Sequence, residues 1–366
     1  MRWSWTVARI AGINVDVHAT FLILLAWIAL AGYGQGRTAA AALGGVLLTL
    51  AIFASVLLHE FGHALTAARF GVKTRSITLL PIGGVAQLER VPERPRQELA
   101  IAIAGPLVTL AIIGVLYVAV RLSGGSVAPA ANVSAPGRAF AAQIMWFNVV
   151  LAVFNLLPAF PMDGGRVLRA ALALRMPFAR ATEIAARIGK AFALVFALAG
   201  LFIVNNPFLV IIAVFVWLSA AAEAAAVHFK SAVGDAVVAR AMITDVRTLS
   251  ATQPVSAAVD EVRSGFQHDF PVVDGHTIAG VLTREKLLKA LADGLADAPV
   301  ADVMDRNFSS AAPDESIENA LERLQACHCQ TLPVLRGREL VGLVTADKIR
   351  EFVMISSAAR AGHAAV

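Results

Sequence analysis

Long apolar stretches without charged residues recur through the first two-thirds of the chain, and they constrain its fold more than any other feature. A helix needs roughly 20 apolar residues to cross a bilayer, because its backbone polar groups must be satisfied within the segment. We expect six crossing helices, over Ala19–Gly36, Ala39–Phe70, Leu99–Val120, Ala139–Met162, about 184–204 and about 207–227. The sequence therefore predicts a polytopic α-helical membrane protein with both termini on one side.

The composition changes along the chain and predicts a second, soluble region. Overall, 58% of the residues are hydrophobic and 16% are charged, whereas soluble domains average about 25% charged residues. Charged residues return at ordinary density after about Lys230. We therefore expect a membrane domain over 1–228 and two soluble α/β domains over 229–297 and 298–358.

Positive charge is unevenly distributed among the loops, which predicts the orientation in the membrane. The loop after the second expected helix and the segment after the fourth are rich in basic residues: Arg69, Lys73, Arg75, Arg90, Arg94, Arg96, Arg166, Arg169, Arg175, Arg180, Arg187 and Lys190. The alternate loops hold only Arg37, Arg121 and Arg138. Because cytoplasmic loops carry excess Lys and Arg, we expect both termini and the soluble region in the cytoplasm, at the plasma membrane of a prokaryote. The same loops explain the net charge of +5, and no basic run interleaved with aromatic residues indicates a nucleic acid partner.

A metal-binding pattern lies at the cytoplasmic end of the second expected helix, where His59-Glu60-Phe61-Gly62-His63 reads H-E-x-x-H. Residues four apart share one face of a helix, so both imidazoles can reach one zinc ion. Glu60 stands beside the metal and can accept a proton from the water that the metal activates. Ionisable side chains at membrane depth are costly and indicate function. The alternative is that these polar residues only meet the membrane interface at a helix end.

Asp163 is the candidate for a third zinc ligand, since a catalytic zinc site needs three protein ligands and an open position. The fourth expected helix runs from outside to inside, so Asp163 reaches the cytoplasmic face at the depth of His59 and His63. Pro158 and Pro161 interrupt the helix before it, and Gly164-Gly165 permits a tight turn after it. The alternative role for Asp163 is an N-cap for a helix that begins near Arg166.

This combination resembles the site-2 protease family of intramembrane metalloproteases: H-E-x-x-H, then N-x-x-P and D-G about 100 residues later. Three further segments are similar to that family, namely 12–18 before the first helix, a glycine-containing hairpin at 81–86 and Ala104-Gly105-Pro106. The resemblance implies that His59, His63 and Asp163 bind Zn²⁺ and that Glu60 is the general base.

The resemblance also implies a role for Asn155, which would position the substrate or stabilise the tetrahedral oxyanion. From its chemistry alone, Asn155 could equally form a hydrogen bond between helices, and Asn148 and His18 are weaker candidates. The implied substrates are single-span membrane proteins already trimmed by another protease, such as anti-sigma factors or precursors. An edge strand in the hairpin could pair with an unwound substrate segment.

The soluble region contains an internal repeat with an offset of about 62 residues. The repeated positions are Met242 with Met304, Pro271-Val272 with Pro333-Val334, Gly280 with Gly342, and Thr283 with Thr345. Each unit is expected to form a helix, a strand that ends near Pro-Val, a second strand and a closing helix. The pattern resembles a tandem pair of CBS domains.

CBS pairs commonly bind an adenine nucleotide, and the resemblance implies contacts from Thr345 and Asp347. The first unit has Glu285 at the position of Asp347, which departs from the family pattern. A structural or homodimerising tail is the alternative. Cys327 and Cys329 offer no disulfide framework, so we expect free thiols, although His328 between them resembles a small metal tract.

We therefore expect a zinc metalloprotease that hydrolyses peptide bonds in or next to transmembrane segments, surrounded by membrane lipids and regulated by the CBS pair. The alternative is a different class of protein, a CBS-gated membrane metal-ion transporter. Glu60 favours the protease, because a transport site needs ligands but no general base beside them.

Overall fold

The computed structural model describes residues 3–36, 38–89, 94–128, 138–234, 236–265, 267–275, 277–327 and 329–363. Arg37, Arg90 and His328 lie outside these ranges. The chain divides into two compact units, Met1–Ala225 and Ala226–Val366.

The first unit combines apolar helices with one small sheet. Its elements are β1 (Ser4–Ile10), β2 (Ile13–His18), α1 (Ala19–Gly36), α2 (Ala39–Arg69), β3 (Thr74–Leu80), β4 (Gly83–Leu88), α3 (Pro95–Leu122), α4 (Arg138–Asn155), α5 (Asp163–Ala173), α6 (Phe178–Leu198) and α7 (Pro207–Val233), the last of which ends in the second unit. A π-helical turn, Ala199–Ile203, follows α6.

Within the described residues, four helices are long and apolar enough to cross a membrane: Ala39–Arg69, Pro95–Leu122, Phe178–Ile203 and Pro207–Val233. The apolar parts of α1 and α4 are shorter, Ala19–Gly34 and Phe140–Asn155. All six expected segments are helical, whereas six crossings stay a prediction. The expected end of the fourth helix at Met162 is wrong, because α4 ends at Asn155. Pro158 explains this early end, since proline disfavours helical backbone at the preceding residue and lacks an N–H.

A four-stranded sheet covers the part of α2 that carries the H-E-x-x-H pattern. Its strand order is β1-β2-β3-β4, with β2 and β3 parallel and β3 and β4 antiparallel. Ile13, Val15 and Ile77 of the sheet form one apolar cluster with Phe61 and Ala64 of α2. The hairpin of β3 and β4 is therefore held beside the pattern, with β4 at an edge of the sheet.

A buried charge network joins three helices of the first unit. Arg169 of α5 donates through Nε to Glu98 of α3 at 2.8 Å, and it also pairs with Glu223 of α7. The guanidinium lies over the rings of Phe160 and Phe178. These contacts attach α5, which begins with Asp163, to the helices around it.

The second unit is built on a single five-stranded sheet with the order β5-β6-β7-β9-β8. Its elements are β5 (Leu249–Ser250), α8 (Val255–Ser264), β6 (Phe270–Asp274), β7 (Thr277–Leu282), α9 (Arg284–Ala292), α10 (Val300–Val303), α11 (Ile317–Cys327), β8 (Thr331–Arg336), β9 (Glu339–Thr345) and α12 (Ala346–His363). The repeated helix–strand–strand–helix pattern is confirmed. The Pro-Val pairs lie within β6 and β8, and each strand ends two residues after its pair, near the expected end.

The two repeats exchange their first segments. Val238 and Ala241, which precede the first repeat's strands, belong to the core of the second repeat. Val300 and Met304 belong to the core of the first. The repeated glycines make this exchange possible, since a Cβ on Gly280 would lie 2.7 Å from Sδ of Met304. Neither core is therefore formed from one continuous stretch of chain.

Cys327 and Cys329 form a disulfide in the structure, which corrects the expectation of free thiols. Cys327 is the last residue of α11, and Cys329 follows two positions later. The end of the helix lets the two side chains face each other, which their separation in sequence alone did not indicate.

Candidate metal centre

His59 and His63 lie one turn apart on α2 and point at the same spot. Their Nε2 atoms are 3.1 Å apart, and both residues are buried, with 3% and 6% of their surface exposed. The helical repeat produces this convergence directly, because residues at i and i+4 share a face.

Asp163 completes the cluster from the first position of α5. Its Oδ2 lies 3.0 Å from Nε2 of His59 and 3.1 Å from Nε2 of His63. Gly164 and Gly165 are helical and do not make the expected turn. They allow close packing instead: a Cβ on Gly164 would lie 2.3 Å from the carbonyl oxygen of Leu157. The start of α5 can therefore fold against the segment that follows α4.

The three converging atoms fit a zinc ion. Two ligands of a tetrahedral zinc at about 2.0–2.1 Å are roughly 3.3 Å apart, close to the observed 3.0–3.1 Å. The ionised carboxylate is the form of Asp163 that binds a cation. Two imidazoles and one carboxylate match the protein ligands of known catalytic zinc sites.

Helix α3 supplies the outer partners of both imidazoles. Nδ1 of His63 donates to the backbone carbonyl of Ile101 at 2.7 Å, since a carbonyl can only accept. Nδ1 of His59 lies 2.9 Å from Oγ1 of Thr109. Gly105 lies between these two positions of α3, and a Cβ there would be 2.1 Å from Nε2 of His63. Gly105 belongs to the Ala-Gly-Pro segment, but no local pattern in the sequence predicts its contact with the site or that of Thr109.

Glu60 is half-buried and lies beside the hairpin. A Cβ on Gly84 would be 2.7 Å from Cγ of Glu60, so only a glycine lets β4 approach this closely. The edge strand β4 and the carboxylate of Glu60 therefore border the same space next to the two histidines.

The structure places Asn155, Asn148 and His18 at different positions relative to the three ligand residues. Nδ2 of Asn155 lies 3.4 Å from Nε2 of His59, at the centre of the cluster. Asn148 is fully buried one heptad earlier and donates to Oγ of Ser55 on α2, which is a contact between helices. Nδ1 of His18 lies 2.8 Å from the hydroxyl of Thr20, outside the cluster.

In the second unit, Thr345 and Asp347 are not among the lining residues of a cavity beside the first repeat. Oγ1 of Thr345 accepts from the backbone N–H of Lys348, and the Asp347 side chain is 90% exposed and pairs with Arg350. This cavity of about 470 Å³ lies beside Thr283. Its lining also includes Asp269, Arg284, Glu285, Lys286, Lys289, Asp305 and Cys327.

Comparisons with known proteins identify a family for each of the two units. The model of peptidase family M50 matches residues 47–136 and 125–196, and that of the CBS domain matches 233–293 and 300–355. Zinc metalloprotease MJ0392 from Methanocaldococcus jannaschii is 30% identical over 349 residues, 95% of this chain and 96% of that protein. Stage IV sporulation protein FB from Bacillus subtilis is 31% identical over 162 residues, 44% of this chain and 52% of that protein.

Among solved structures, the site-2 protease from Methanocaldococcus jannaschii is 37% identical to this chain. The match covers 61% of this chain and 95% of that one, with a TM-score of 0.45. The relative that matches along almost the whole chain, together with the two family matches, decides the assignment. The chain belongs to peptidase family M50, the site-2 protease family of zinc metalloproteases, and carries a tandem pair of CBS domains.

Proposed function

We propose that this protein is an intramembrane zinc metalloendopeptidase, with the protease domain over 1–228 and CBS domains over 229–297 and 298–358. The observation that carries the proposal is the buried convergence of His59, His63 and Asp163, with Glu60 beside them on the same helix. His59, His63 and Asp163 would hold the ion. A bound zinc ion would polarise the scissile carbonyl and make a water molecule more acidic.

The residues of the chain then have distinct tasks in hydrolysis. Glu60 accepts the proton of the attacking water and returns it to the leaving amine. Asn155 carries an amide 3.4 Å from the Nε2 atom of His59, where it can donate to the oxyanion that develops on the substrate carbonyl. Burial of the three ligand residues keeps bulk water from competing for these interactions.

The edge strand β4 supplies a way to present the substrate. Peptide bonds in a transmembrane helix are hidden by their own hydrogen bonds, so a substrate segment must unwind before cleavage. An extended segment that pairs with β4 would recover backbone hydrogen bonds. Such a segment would pass Gly84, and therefore Glu60.

Membrane orientation and regulation complete the proposal. Six helices in the lipid bilayer, with the basic loops inside, would put the site near the cytoplasmic face and both termini and the CBS pair in the cytoplasm of a prokaryote. The CBS pair would bind an adenine nucleotide, regulate proteolysis and support a homodimer. Substrates would be membrane proteins with a transmembrane segment near the cleaved bond.

The test compares wild type with Glu60→Gln in detergent, by zinc analysis and cleavage of a single-span substrate. We expect about one zinc per chain in both proteins and cleavage only by wild type, because glutamine removes the base and leaves all three ligands. Both proteins could instead bind zinc, fail to cleave and carry Zn²⁺ into liposomes. That result would support the metal-ion transporter. Wild type without zinc would refute the metal centre.

A further inference from the structure

Thr109 is a fully buried polar residue in contact with the cluster. It lies on α3 with 0% of its surface exposed. Its Oγ1 is 2.9 Å from Nδ1 of His59 and 3.4 Å from the backbone carbonyl oxygen of Gly105. The hydroxyl therefore has two partners, one on its own helix and one on α2.

The hydroxyl can donate to one of these partners and accept from the other. A threonine hydroxyl has one hydrogen to donate, and the Gly105 carbonyl can only accept it. If that hydrogen goes to Gly105, then Oγ1 must accept a hydrogen bond from Nδ1–H of His59. The proton of the neutral imidazole then sits on Nδ1, and Nε2 keeps the free lone pair that faces Asp163.

His63 has the same arrangement, with a different hydrogen-bond partner. Nδ1–H of His63 donates to the Ile101 carbonyl, which leaves its Nε2 free as well. A backbone carbonyl serves His63 and a side-chain hydroxyl serves His59, both from α3. The two imidazoles thus turn the same nitrogen atom toward the cluster.

We propose that Thr109 is a positioning residue for the metal centre: it holds His59 in the tautomer and ring orientation that direct Nε2 at the ion. The inference rests on the proposed metal site and names the group that prepares one of its ligands. Partners of this kind raise zinc affinity because the ligand is oriented before it binds. Without the hydroxyl, a buried N–H of His59 would lack its acceptor, or the imidazole would change tautomer and present N–H to the metal.

The experiment compares Thr109→Val, which removes the hydroxyl at nearly constant shape, with Thr109→Ser, which retains it. Thr182→Val is the matched control. Thr182 is also 0% exposed, and its hydroxyl donates to the carbonyl oxygen of Phe178 four residues earlier at 2.9 Å. Each purified full-length protein is titrated with zinc against a chromophoric chelator, loaded with Co²⁺ to record its visible absorption, and melted to compare folding.

We expect Thr109→Val to bind zinc about 10- to 100-fold more weakly than wild type and to show an altered Co²⁺ spectrum. Thr109→Ser and Thr182→Val should retain wild-type affinity and spectrum. Equal zinc affinity of wild type and Thr109→Val would overturn this inference and leave the proposed metal centre standing. Equal losses in Thr109→Val and Thr109→Ser would also overturn it, because packing would then explain the effect. Wild type that binds no zinc would refute the metal centre and this inference together.

Discussion

Replacing Gly105 by alanine adds a single methyl group at the point where α3 comes closest to the metal cluster. The new Cβ would lie 2.1 Å from Nε2 of His63, 2.6 Å from its Cε1 and 2.7 Å from Nε2 of His59. Carbon atoms in contact are separated by about 3.5–4.0 Å, so the helix or the imidazoles must move by more than about 1 Å. The methyl group would thus occupy the space between the metal-binding nitrogen atoms.

Two contacts between α2 and α3 would be lost if α3 moved away. A Cβ on Gly62 of α2 would lie 2.9 Å from the carbonyl oxygen of Ala104, which shows that the two backbones are packed closely beside Gly105. Nδ1 of His63 also bonds the Ile101 carbonyl on the same helix. We expect overpacking to cost about 1–3 kcal/mol of stability. Because displacement by about 1 Å destroys the ligand geometry, zinc affinity should fall by at least about 100-fold, more than loss of an outer hydrogen bond causes.

The assay is competition with a chromophoric chelator, run on Gly105→Ala and Gly114→Ala beside wild type. Gly114 lies on the same helix, and a Cβ there would meet nothing within 4 Å. The Gly114 variant should bind zinc as wild type does and unfold at the same or a slightly higher temperature, since alanine favours helices by up to about 1 kcal/mol over glycine. Wild-type zinc affinity in Gly105→Ala would refute the close approach of α3 to the cluster.

Two further predictions concern the surroundings of the site and the CBS pair. Arg169→Met should destabilise the protein by about 3–5 kcal/mol, because it leaves buried Glu98 without its partner. Arg187→Met is the control, since it breaks an exposed pair with Glu183 and should lower the free energy of unfolding by at most about 1 kcal/mol. Thermal unfolding of the two variants compares them, and equal losses would contradict the importance of burial. If the CBS pair binds AMP in its cavity, Thr283→Val should weaken binding in a calorimetric titration. Asp347→Ala should not weaken it, since Asp347 is exposed outside the cavity lining; the opposite ranking would return the site to the second repeat.

The sequence by itself determined the features that depend on local spacing. The i, i+4 separation of His59 and His63 puts both imidazoles on one face of a helix, and the charge-free runs predict six helical segments without reference to packing. The 62-residue repeat likewise predicted the alternation of strands and helices in the second unit. For Asp163 the prediction depends on loop charge and topology, and in the structure its carboxylate contacts both histidines.

Tertiary structure alone decided which distant groups touch the cluster. Thr109 and Gly105 lie more than 40 residues from the histidines in sequence, and their contacts depend on how closely α3 approaches α2. The exchange of segments between the CBS repeats and the location of their cavity also escaped prediction. The physical reason is the same in each case. Periodicity specifies which residues share a face of one element, whereas the neighbour that the face meets depends on the packing of whole elements, which a single sequence does not encode in any local pattern.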